Sequence, residues 1–188
     1  MRPLSVVGGL IVLLSGCADR DRERVDPTAG AFQDFSKRVD EYVALRNRLA
    51  DSAGTVDESM DQQKIADRAS GLAAAILSAR PQAKQGDIFT PEAATVFATM
   101  IKEEYSRRPP PVLDAREDTQ EELPNFTPEV NQLYPTTYPL ATFPAALFPL
   151  LPKLPEQLEY RVVQRYLILR DVEANLIVDF MPNAMPST

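Results

Sequence analysis

Eleven of the 17 prolines crowd between Pro109 and Pro155, whereas all seven glycines lie at or before Gly86. Proline removes a backbone donor and drives the residue before it out of helical angles, so no long helix and no central strand can run through that stretch. The chain therefore divides in three. A first part can build long helices, a Pro-rich middle must run in extended pieces and short turns, and the end is again open to regular structure. Residues 108–122 combine proline with charge and read as a mobile linker. Beyond them Phe126, Leu133, Tyr134, Tyr138, Phe143, Leu147, Phe148, Leu151 and Leu154 lie among the prolines, too apolar a mixture for a solvated spacer. That segment is expected to wrap a core, with one-turn or two-turn helices after Thr127-Pro128-Glu129 and after Phe143-Pro144.

Residues 27–107 carry helical periodicity. Phe32, Phe35, Val39, Tyr42, Leu45 and Leu49 recur every three or four positions, which puts them on one stripe, with Lys37, Arg38, Asp40, Glu41 and Arg46 placed elsewhere. This helix is expected from Asp26-Pro27 to a point before Gly54. Thr55-Val56-Asp57-Glu58 has the spacing of a capping box, opening a second helix with Ile65, Ala69, Leu72 and Ile76 on its apolar side, to about Arg80. The short connection makes these two helices antiparallel. Thr90-Pro91-Glu92 starts a third: Thr at the cap, Pro where its missing N–H matters least, Glu toward the positive end of the dipole. Its core face is Ala93, Val96, Phe97, Met100, Ile101 and Tyr105.

The end of the chain alternates. A two-residue loop at Gln164-Arg165 sets Val162 opposite Leu167, Tyr160 opposite Leu169 and Glu159 opposite Arg170, giving one apolar face and one that carries an ion pair. Neither loop residue is the Gly or Asn that tight hairpins favour. Leu176 to Met181 suits a third strand or a short buried helix equally. The expected fold class is α+β: a three-helix N-terminal bundle, a Pro-rich wrapping segment and a small C-terminal hairpin or sheet. Residues 123–188 pack with the helices as one domain.

Much chemistry is excluded by composition. The chain has no His, so it has no Ser-His-Asp triad, no Cys-His dyad and no His-ligated zinc. One Cys permits no intrachain disulfide and no Cys-cluster metal site. A net charge of −7 leaves no basic footprint for nucleic acid. There is no phosphate-binding glycine loop and no Gly-x-Ser-x-Gly elbow. Serines 36, 59, 70 and 78 with Lys37 and Lys64 fall on polar helix faces, which are ordinarily just solvated. Neither a cofactor nor a metal is expected. The acidic group Asp171, Glu173, Asn175 and Asp179 spaces oxygens at alternate positions, but a hand-type calcium loop needs Gly at its sixth place and an acid at its twelfth, where Leu176 and Pro182 stand. Turn-capping of backbone donors is the expected role of these residues. Asp179 also suits an alternating face with Arg161 or Arg170 as its partner, and a hydrolase built on Asp171, Glu173 or Asp179 stays open as an alternative.

The band from Tyr134 to Leu154 admits core wrapping, a docking groove or membrane insertion. Its aromatic residues Tyr134, Tyr138, Phe143 and Phe148 are the candidate contacts for a ligand or partner, since rings on a stiff backbone lose little entropy on binding.

The amino-terminal residues address the chain to a compartment. Arg2 supplies a positive region, Leu4 to Leu14 an apolar one, and Leu14-Ser15-Gly16 sets small residues before the lone thiol, Cys17. The apolar stretch falls well short of the roughly 20 residues a spanning helix needs, as in a removable signal peptide. The segment resembles a bacterial lipoprotein signal. That resemblance implies that residues 1–16 are removed, that Cys17 carries a diacylglyceryl group on its sulfur, and that its new amino group takes a further acyl chain such as palmitate. The implied partner is a lipid bilayer, and Ala18 after the Cys implies the outer membrane, facing the periplasm. Residues 18–26 are nearly all charged and read as a flexible tether. Tyr134-Pro135, Leu158-Glu159-Tyr160-Arg161, Arg170 to Phe180 and Lys84 to Pro91 are also similar to a group of bacterial exported proteins to which no activity attaches, and which tends to have Gly at the position of Gln164. The expected role is a non-enzymatic interaction or accessory module of the cell envelope with a protein partner there; a periplasmic module for a small or lipid-like ligand is the alternative.

Overall fold

The computed structural model describes residues 26–52, 62–107, 126–135 and 147–186. The expectations for the signal segment, Cys17 and the tether, for the Thr55–Glu58 capping box, for the linker at 108–122, and for Tyr138 and Phe143 lie outside these residues.

Three helices precede a three-stranded antiparallel sheet, an α+β fold. Helix α1 (Pro27–Ser52) starts where Asp26 caps it: the Asp26 carboxylate accepts from Thr28 N–H at 2.9 Å and its carbonyl accepts from Gly30 N–H at 2.9 Å. Its buried stripe is Ala31, Phe35, Val39, Tyr42, Arg46 and Ala50. That line is rotated from the expected one: Leu45 and Leu49 flank it, and Arg46 goes inside.

Helix α2 (Gln62–Ala79) buries Leu72, Ala73 and Ile76, while Ile65, expected on the same face, is 55% exposed. It runs antiparallel to α1. Arg46 of α1 and Arg68 of α2 meet at one carboxylate, further on Arg80 lies over the Tyr42 ring, and Arg38 reaches the carbonyl of Asp87. Helix α3 (Pro91–Arg107) opens as expected on Thr90, whose hydroxyl accepts from Ala93 N–H at 3.3 Å and whose carbonyl accepts from Ala94 N–H at 2.7 Å. No helix among the described residues is long and apolar enough to cross a membrane.

The sheet is a meander of β1 (Leu158–Val163), β2 (Tyr166–Asp171) and β3 (Leu176–Met181), in that order. The register of β1 on β2 is the expected one, with Val162 opposite Leu167, Tyr160 opposite Leu169 and Glu159 opposite Arg170. The two-residue loop forms without Gly or Asn. Gln164 takes φ 52°, and the six pairs from Val163/Tyr166 to Leu158/Asp171 hold it there. Residues 176–181 are a strand, not a helix.

One face of the sheet packs on the helices. At its centre Phe35 and Phe97 contact each other and both contact the rings of Phe89 and Tyr160, and Leu158, Val162, Leu167, Leu169, Leu176, Val178 and Met181 continue the same core. The other face departs from expectation. It carries the Glu159 ion pairs but also a second apolar cluster, Val163, Ile168 and Ile177, roofed by Phe126 and Tyr134. The roof belongs to the Pro-rich segment, which lies extended along β3: Asn131 N–H donates to Ile177 O, Ile177 N–H to Gln132 O and Tyr134 N–H to Asn175 O, each at 2.8 Å. Wrapping is therefore what residues 126–135 do. The helix expected after Thr127-Pro128-Glu129 is absent from the described residues. Its first turn closes through Gln132 N–H and Glu129 O, then Asn131 takes φ 67° and the chain turns to the strand edge, whose unpaired groups compete with helix propagation. Leu147 to Leu150 form a single turn that sets Leu147 and Leu151 in the core.

Candidate functional site

The three acidic residues singled out by sequence all lie at the seam between helices and sheet, and each is occupied. Asp171 ends β2 and is fully buried. One of its oxygens accepts Ala174 N–H at 2.8 Å, the turn-capping role expected of it. The other accepts the Tyr42 hydroxyl at 2.8 Å and faces Arg46 Nε at 3.4 Å. Glu173, in the turn between β2 and β3, is bonded by Arg46 through one oxygen and by Arg68 Nε through the other at 2.5 Å. Burial pulls the Glu173 carboxyl up, but the two guanidiniums outweigh it and hold it below its ordinary value. Tyr42, enclosed and facing Asp171, is pushed far above the usual phenol range.

Among the described residues no arginine is hydrogen-bonded to Asp179, contrary to the expected pairing with Arg161 or Arg170, although the Arg80 guanidinium acts on it through space. Its carboxylate accepts four backbone N–H groups: Gly86 at 2.9 Å and Phe180 at 2.8 Å on one oxygen, Ile88 at 2.7 Å and Phe89 at 2.8 Å on the other. Two local devices create this nest. A bulge in β3 sets Leu169 opposite Asp179 but Arg170 opposite Ile177, so the strand gains one residue and the carboxylate turns to the helix side. Gly86 takes φ 89°, a conformation open to glycine, and so aims the amides of the α2–α3 connection at one point. Burial raises the Asp179 carboxyl above its ordinary value, with the four N–H donors pulling against that shift.

Arg161 and Arg170 instead converge on Glu159 of β1, with Arg170 also bonded to Asn175 Oδ1 at 2.8 Å and stacked over the Tyr134 ring at 5.3 Å. Here too burial raises the Glu159 carboxyl and the two guanidiniums more than offset it, so the net shift is downward. Of the four aromatic candidates, Tyr134 and Phe148 are described, and these two do not act together. Tyr134 is 2% exposed and serves the roof, whereas Phe148 is 60% exposed. Phe148 lines, with Pro152, Lys153, Leu154, Leu158, Glu159, Tyr160 and Arg161, a depression of about 430 Å³ beside β1.

Arg46 and Arg68 are the seam residues that sequence reasoning missed. A signal for Arg46 existed: it lies four residues from both Tyr42 and Ala50, on the apolar line itself. Chemically, the arrangement fastens. Each oxygen of Asp171, Glu173 and Asp179 already accepts from the protein, and no group of three or more potential metal ligands occurs among the described residues. Compared with protein-family models, curated proteins and solved structures, the chain matches none.

A pH dependence follows. Glu159 and Glu173 have folded values below their unfolded ones, so their contribution is complete above the ordinary glutamate range and is lost as pH falls through the lowered values. Asp179, with a raised value, works in the opposite sense, and its contribution fades as pH rises through that value. Urea unfolding between about pH 3 and 6 should show the acid-side loss in the wild type and a flatter limb in Glu159→Gln/Glu173→Gln. An unchanged slope in the double variant would show that these ion pairs contribute nothing.

Proposed function

We propose that this protein is a lipid-anchored lipoprotein of the bacterial envelope, acting as a non-enzymatic interaction or accessory module. The observation that carries the reading is the run Leu14-Ser15-Gly16-Cys17 behind a short apolar segment, the point at which a lipoprotein signal ends and acylation occurs. Two or three acyl chains, at about 0.8 kcal/mol per buried methylene, anchor a protein without help from its surface. The fold is consistent with that division of labour. Helix α1 begins at Pro27, so residues 18–26 allow it at most about 30 Å from the anchor. The acidic body is repelled by anionic lipid, which leaves it to face protein partners next to the bilayer, by the charge rule for membrane surfaces. The carboxylates on which a hydrolase would depend are engaged in fastening the seam, which favours the non-enzymatic reading.

Cell fractionation and crosslinking in intact cells test the proposal. The wild type should sediment with membranes and give the same crosslinked partner repeatedly, while Cys17→Ser should be found in the soluble fraction and lose that crosslink. A Cys17→Ser protein that still sediments, or repeated recovery of no partner, contradicts it.

A second reading, binding of a small apolar ligand, would place it in the open depression beside β1, against Phe148 and Leu154. Native mass spectrometry of protein taken from the envelope distinguishes the two: a reproducible mass excess beyond the acyl chains selects the ligand.

A further inference from the structure

We propose that the depression beside β1 binds a small amphipathic molecule, an apolar body with one anionic head. The proposal rests on the second reading above, that a small apolar ligand sits there, and adds the charge of that ligand. A fixed apolar wall and a local excess of positive charge carry it.

The wall is built before any ligand arrives. Leu147 and Leu151 are buried in the core on either side of Phe148, and a single turn closes between Leu147 O and Leu150 N–H at 3.0 Å. Further on, the Tyr160 hydroxyl donates to Pro152 O at 3.1 Å and Leu158 N–H to Pro155 O at 3.0 Å, which ties the segment to β1. Phe148 stands on this fixed stretch with 60% of its surface exposed, whereas every other described phenylalanine is buried or half-buried. With Pro152, Leu154, Leu158 and Tyr160 beside it, the ring offers an apolar body a surface that needs no ordering to receive it.

The charged groups give that surface a sign. Lys153, Glu159 and Arg161 complete the lining. Glu159 is already engaged by two guanidiniums, those of Arg161 and Arg170. Lys153 is exposed, and no carboxylate among the described residues pairs with it. Three cations thus stand against one carboxylate at this edge, on a chain whose net charge is −7. Glu156, close by in the sequence, does not line the depression. A molecule that covers Phe148 and Leu154 with its apolar part gains from Lys153 when its head is an anion and is repelled when its head is a cation.

Three ligands that share one apolar body test this: phenylbutyrate, phenylbutanol and phenylbutylamine. Each is titrated into the full-length protein in phosphatidylcholine nanodiscs, and the methyl signals of Leu154 and Leu158 are followed by NMR. The carboxylate should bind tightest and the amine weakest. Lys153→Gln should weaken the carboxylate by about threefold to fivefold, the weight of an exposed ion pair, and leave the alcohol unchanged. Phe148→Ser should weaken all three. An alcohol or amine that binds as tightly as the carboxylate, or a Lys153→Gln variant that binds the carboxylate as the wild type does, overturns the anionic ligand and leaves the apolar reading standing. Absence of a saturable shift with all three ligands overturns both. Shifts of the same methyls when the protein alone is diluted would put a second copy of the chain in the depression, which also overturns the proposal.

Discussion

Asp179→Ala is expected to lower the free energy of unfolding by about 3–5 kcal/mol, because it strands a nest of backbone donors rather than trimming a contact. Of the four N–H groups on this carboxylate, those of Ile88 and Phe89 are in buried bonds, and those of Gly86 and Phe180 in partly buried ones. Water can reach the latter pair, so most of the loss comes from Ile88 and Phe89, at about 1–3 kcal/mol for each orphaned donor. At roughly 2–4 °C per kcal/mol for a chain of this size, Tm should fall by about 10 °C. Urea unfolding should shift in midpoint without a change of slope. Asp179→Asn should be intermediate, since one amide oxygen still accepts while the NH₂ group faces two donors. A midpoint for Asp179→Ala within experimental error of the wild type would show that the amides of the α2–α3 connection do not need this acceptor.

The second large effect is expected at Asp171. Its removal takes from the Tyr42 hydroxyl the buried acceptor it donates to, and leaves Arg46, 9% exposed in its side chain, with Glu173 as its carboxylate and the Asn47 amide oxygen beside it. Breaking a buried charged contact from one side costs about 3 kcal/mol or more, because the partner stays enclosed. Asp171→Ala should therefore destabilise far more than Tyr42→Phe, which removes one hydrogen bond worth about 1 kcal/mol and leaves Asp171 with Arg46 and Ala174. Equal losses in the two variants would mean that the tyrosine bond, not the arginine, holds the seam. In a hydrolase that used these carboxylates, by contrast, the conservative Asn variants would lose activity while remaining stable.

Local chemistry made part of this fold legible in advance. Asp26 and Thr90 cap helices whose starts were readable because capping needs a particular oxygen at a particular place. The β1–β2 register was readable because only one alignment satisfied both faces, and it held against an unfavourable residue at Gln164. Other features depend on distant partners. Periodicity sets Arg46 off the apolar stripe, and arginine alone is expensive to bury; Asp171 and Glu173, more than a hundred residues away, make its burial possible. The inward turn of Asp179 comes from a bulge, which shifts the alternation on which strand reading relies. The roof over the second sheet face forms because residues 131–134 find the edge of β3, a pairing that proline content allows but does not specify. Of the site, sequence named the three carboxylates and missed the two guanidiniums and the amides that hold them.

The functional reading depends on the chemistry at Cys17, and feeding cells a clickable fatty acid measures it most directly. The account predicts label on the mature wild-type chain, carried by a peptide that begins at Cys17, and no label on Cys17→Ser. A wild-type chain that takes up no label, or a Cys17→Ser chain that keeps it, would contradict the account.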